Sequence, residues 1–130
     1  MNPYTVVLFG EAEKGQFQTA YYFQSIVQLS EYLGNPPPNS RGLHCAVQAL
    51  LYQRNLVFFR VKEEGFSCSD YLSGLQVLEN QQTFSPISAL CIPGVGDANI
   101  IHAMSSFCIQ HHSIMITSQS DLYDYLTCNE

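Results

Sequence analysis

Positive charge is scarce in this sequence. Five Lys and Arg stand against eleven Asp and Glu, a net charge of −6. Affinity for nucleic acid comes largely from cations that neutralise phosphates, so this balance argues against such a partner. It argues equally against an anionic membrane held through basic residues. Long apolar runs are missing too. None approaches the ~18 residues of a membrane span, and no insertion is expected. Met1 leads into Asn2, Pro3 and Tyr4 without a basic stretch, so no secretory signal is expected. Paired cysteine knuckles are also lacking. The five cysteines are an odd, widely spaced set that makes no disulfide framework. Cys45, Cys91 and Cys108 sit in apolar patterns and read as buried free thiols, which points to a reducing cytoplasm.

What remains is a chain of 130 residues, 46% apolar, enough for one core and expected to form a single domain over residues 1–130. Only 12% of residues are charged, against about a quarter in an ordinary domain. So neutral a surface suits burial against other protein copies. It equally suits a monomer rich in Gln, Ser and Asn.

Taken in order, Thr5 to Phe9 is a β-branched apolar run ended by Gly10, as expected of a strand covered on both faces. In the turn Glu11–Gln16 that follows, Glu11, Glu13, Lys14 and Gly15 should be solvated. Ala20 to Phe23 reads as a short edge strand. Ser25 and Gln28 form a capping-box pattern ahead of Ile26, Leu29 and Leu33, and Gly34 stands where a helix ends. Asn35-Pro-Pro-Pro-Asn39 is a stiff connector or a motif for an aromatic groove. Ser40 is expected to cap a helix whose apolar face is Leu43, Val47, Leu50 and Leu51. Leu56 to Val61 is the strongest strand, interrupted by Arg60, which needs a partner if buried or an edge if not. Ser69 or Asp70 should cap a short helix through Tyr71, Leu75 and Leu78. Asn80 to Pro86 is a polar loop.

The centre of the pattern is Ile87 to Cys108. An apolar run meets Pro93, Gly94 and Gly96, and Asp97 opens a helix carrying Ile100, Met104, Phe107 and Cys108. Ser113 to Thr117 reads as another buried strand, and Ser120 as the cap of a last helix. Strands alternating with helices predict an α/β domain, a mostly parallel central sheet with helices on both faces in three layers.

Three constellations could carry chemistry. Gly94, Gly96 and Asp97 lie where open α/β sheets bind ligands, and amides at a helix start can hold a phosphate. Yet neither G-x-x-x-x-G-K-[ST] nor G-x-G-x-x-G is matched, and Asp97 as a cap brings negative charge to that place. Cys108, His111 and His112 share one helix face at i, i+3 and i+4. They suit zinc if His44 or His102 completes the set, whereas histidines at a helix end are favoured by the dipole alone. Cys45 or Cys91 could pair with a histidine as a nucleophile, but a buried thiol resists ionisation. The G-x-S-x-G elbow is absent. Glu11, Glu13, Glu63 and Glu64 read as solvated turn acids. No catalytic residue and no cofactor are expected.

Several segments, in order, resemble the central domain of contractile phage tail sheath proteins. They are TVVLFG, then EAEKGQ, FQSIVQLSEYLG, AVQALLYQRNLVFFRV, LCIPGVGDANII and the strand SIMIT. The match runs over about residues 5 to 118 and takes in the central domain only, without the family's N-terminal arm and C-terminal domain. The resemblance implies a minimal or orphan sheath-like core. It implies a non-enzymatic structural protein of a contractile injection system, acting by protein–protein assembly. Its partners would be copies of itself or sheath and tail components. The alternative expectation is a small doubly wound enzyme or regulator with a phosphate-containing ligand at Gly94–Asp97.

Overall fold

The computed structural model describes residues 5–35, 37–38, 40–80 and 87–127. Pro36, Asn39, the 81–86 part of the expected polar loop and Cys128 therefore lie outside the described residues.

Thr5–Gly10 forms β1, every residue buried, as its unbroken apolar run requires. Ala20–Phe23 is β2, Asn55–Arg60 β3, Ile87–Cys91 β4 and Ile114–Ile116 β5. They make one sheet in the order β2-β3-β1-β4-β5. β1 pairs in parallel with β3 on one side and β4 on the other, and β5 continues in parallel beyond β4. β2 joins antiparallel at the β3 edge, so the sheet is mixed but mostly parallel.

Side chains alternate across this sheet because successive residues of a strand point to opposite faces. Val6, Leu8, Leu56, Phe58, Ala89 and Cys91 face one way. The helices Ile26–Leu33 (α1), Gly42–Leu51 (α2) and Gln119–Thr127 (α5) cover them. Val7, Phe9, Val57, Phe59, Leu90 and Ile92 face the other way, under Cys68–Asn80 (α3) and Ala98–His111 (α4). Helices thus cover both faces of an α/β sheet.

The local signals for α1 hold. The Ser25 side chain accepts from the Gln28 N–H, and Gly34 ends the helix at φ +77°. Gln28 returns its bond to the Gln24 N–H, one residue earlier than a capping box places it. Other helix starts differ from expectation. Ser40 does not cap α2, which instead draws a carboxylate from a distant loop. α3 begins at Cys68, and Asp70 in its first turn accepts from the Lys62 N–H. α5 begins at Gln119, where the Ser118 hydroxyl accepts from the Asp121 N–H, so Ser120 is inside the helix. In α2, Leu51 lies off the apolar face and is 60% exposed.

β5 is not the buried strand that its composition suggests. It is three residues long, it is an edge, and Ile114 is 53% exposed. Arg60 resolves as the last residue of β3. Its guanidinium donates to the Gly15 carbonyl and lies 4.4 Å from the centre of the Phe17 ring. A carbonyl and an aromatic face thus take the place of a carboxylate partner.

Candidate functional site

The chain leaves β1 for β3 on one side and later returns past it to β4. The reversal puts the ligand crevice of such a sheet at the carboxyl ends of β1 and β4. Three loops meet there: the one that Glu11 begins after β1, Glu63-Glu64-Gly65 after β3, and Pro93–Asp97 after β4.

Backbones approach closely at this end. A Cβ on Gly65 would stand 2.6 Å from the Gly94 carbonyl oxygen, which fixes the second loop against the third. Gly65 also has φ +90°, a conformation that L side chains rarely adopt. Its N–H donates to the hydroxyl of Tyr71 at 2.7 Å. Burial, above all, pushes the Tyr71 phenol well up, the Gly65 bond opposes this, and Glu64, Glu11 and Asp70 raise it further. Tyr71 therefore stays neutral and acts as a buried acceptor.

Glu64 is the centre of the arrangement. Its Oε1 accepts from the Arg41 N–H at 2.7 Å. Its Oε2 accepts from the Gly42 N–H at 2.9 Å, the Ser40 hydroxyl at 3.1 Å and the Glu11 N–H at 3.1 Å. In return the Glu64 N–H donates to Glu11 Oε2 at 2.8 Å. The start of α2, where amides and dipole would welcome an anion, is thus filled by a carboxylate of the chain itself. Glu11 and Glu64 are partly buried, not the solvated turn acids their surroundings in sequence suggest.

The second helix start is filled in the same way. Asp97 accepts from the N–H groups of Asn99 at 2.8 Å and Ile100 at 3.3 Å. In the turn before it, the Gly94 N–H is donated to the Thr117 carbonyl and the Val95 N–H to the Ile92 carbonyl. Gly94, at φ +80°, and Gly96 have open space where a Cβ would project. Gly94, Gly96 and Asp97 therefore form an open turn, but the amides at Gly94 and Val95 and the helix start behind it are already engaged.

The remaining candidates are held apart. Cys108 is buried in the core, and burial pushes its thiol up to about 11. The His111 ring is stacked on Phe107, 4.2 Å between centres. His112 ends α4 in the left-handed conformation at φ 55° and is exposed. Among the described residues no group of three or more His, Cys, Asp or Glu is placed to hold a metal ion. Burial pushes the Cys45 thiol up to about 12, with Glu64 adding to it and Arg41 opposing, and burial likewise raises the Cys91 thiol well above its ordinary value. Neither offers a thiolate near neutral pH.

A cleft of about 180 Å³ lies between α1 and α2, lined by Ile26, Leu29, Leu43, His44 and Val47 among others. It falls below the roughly 300 Å³ at which small-molecule sites begin. No described helix is long and apolar enough to cross a membrane. Compared with family models, curated proteins and solved structures, the chain matches none.

Proposed function

We propose that this chain is a non-enzymatic interaction domain that works by protein–protein assembly, similar to the core of contractile tail sheath subunits. The observation that carries the reading is the state of the sheet's two ends. β2 and β5 are both edges, and both lie in stretches without a single Asp, Glu, Lys or Arg, Gly15 to Ser30 and Ala98 to Ser120. Edge strands that must stay alone usually carry charge or proline. Edges without either suit addition of a further strand, where backbone hydrogen bonds supply affinity.

Two further observations support it. The helix starts at the ligand end of the sheet are occupied by Glu64 and Asp97, which leaves little for a phosphate group to bind. The sheath-like segments fall in order on β1, α1, α2 with β3, the β4 turn and β5. The thiols of Cys45, Cys91 and Cys108 are free and buried, in keeping with the cytoplasm. The partners are copies of the chain or sheath and tail components.

The test is size exclusion with light scattering, together with capture by purified tail-sheath subunits. Self-association or capture is the expected result. A chain that stays monomeric and binds no such subunit sinks the reading.

A further inference from the structure

Of the two edges, β5 is the one whose pairing with β4 fixes which main-chain groups are left outward. The Ile116 carbonyl accepts from the Ile92 N–H, so Ile116 turns its main-chain polar groups toward β4. Neighbouring residues of a strand turn theirs to opposite sides. The N–H and C=O of Met115 therefore point outward, away from the sheet, at the middle of the strand.

The side chains around them are apolar and uncovered. Ile114 is 53% exposed beside the edge. On α4, Ser105 bonds to the Met115 sulfur, and Ile109 lies one turn further along the same side of the helix. Ile109 is 77% exposed. Over Ala98 to Ser120 only His102, His111 and His112 can carry charge near neutral pH.

That neutrality selects the occupant. Two copies each carrying −6 repel unless they meet where the charge is not. A basic partner would be drawn to the acidic carboxyl end of the sheet instead. A two-fold axis also suits the strand. Antiparallel pairing centred on Met115 lets each copy donate its N–H to the other's carbonyl and sets Ile114 of one copy against Ile116 of the other. We infer that two copies of this chain associate through β5, antiparallel about Met115, to join their sheets across a two-fold axis. The inference rests on the assembly reading and gives it a partner and a surface.

Light scattering from micromolar to near-millimolar protein tests it, with hydrogen exchange of the Met115 amide as the local readout. The wild type should approach twice 14.6 kDa, and Met115 protection should rise with concentration. Ile114→Lys places charge at the edge, and Met115→Pro removes an N–H that no β4 bond uses, so both should halve the mass and keep the circular dichroism of the fold. Ile114→Lys keeps the test open if the proline variant fails to fold. A dimer that survives both changes overturns the inference. If Tyr22→Lys on β2 abolishes it instead, assembly stands and only the choice of edge is wrong. A wild type that is monomeric throughout also overturns the inference. The assembly reading then depends on capture by sheath subunits alone.

Discussion

Gly10 and Gly42 lie so close that a Cβ on either would stand 2.6 Å from the other's Cα. One ends β1 and the other opens α2, and the same Cβ would crowd Glu64 Oε2 at under 3 Å. The contact is therefore what lets a single carboxylate reach both elements. Alanine at a helix position ordinarily gains about 1 kcal/mol over glycine. Here Gly42→Ala should lose about 1–3 kcal/mol, the usual range for overpacking, because the obstruction is main chain. Urea denaturation read by circular dichroism checks the sign.

Removing Glu64 should cost more than losing an ordinary cap. Its carboxylate serves four donors on two segments, Ser40 to Gly42 and Glu11, and a buried donor left alone costs about 1–3 kcal/mol. Glu64→Ala should lose about 2–4 kcal/mol. Glu64→Gln should lose less, since one amide oxygen still accepts while its NH₂ faces the remaining donors. Equal stability for wild type and Glu64→Ala in urea would show that water replaces the carboxylate without loss.

High pH should destabilise the fold through its thiols. The folded value of Cys45 is raised from the ordinary 9.0 to about 12. Its contribution is then complete below pH 9 and disappears as the pH climbs from 9 toward 12. Denaturation midpoints should fall over that window, and Cys45→Ala should flatten the fall. Thiol reagents at neutral pH should label Cys68, which is only partly buried, before Cys45 or Cys91.

Phosphate and nucleotides should leave the melting temperature unchanged, since a ligand at a hundredfold excess over Kd would add about 2.7 kcal/mol. Asp97→Ala should lower stability by about 0.5–2 kcal/mol by removing the α4 cap, and Asp97→Asn by much less. A clear upward shift with phosphate in the wild type would reinstate Gly94–Asp97 as a ligand site.

Most of the fold is legible where a signal is local. Ser25 and Gly34 bound α1, and Asp97 begins α4, because each acts on amides or φ angles within a few residues. Composition could not separate β1 from β5. Val6-Val7-Leu8-Phe9 and Ile114-Met115-Ile116 are both unbroken apolar runs, and only the strand order makes one central and the other an edge. The site divides in the same way. Asp97 is readable from its own helix. Glu64 is not, since it serves amides 22 and 53 residues back along the chain, brought to it by the crossover between β1 and β3.

The placing of β1 has a consequence for biosynthesis. Val6 finds its neighbours in Leu56 and in Ala89, the second of them translated some 80 residues later. At about 5–20 residues per second, the most apolar strand waits several seconds for both flanks to leave the ribosome. A chain released before residue 87 would keep one side of Val6–Phe9 bare and should precipitate, whereas the full chain should remain in solution.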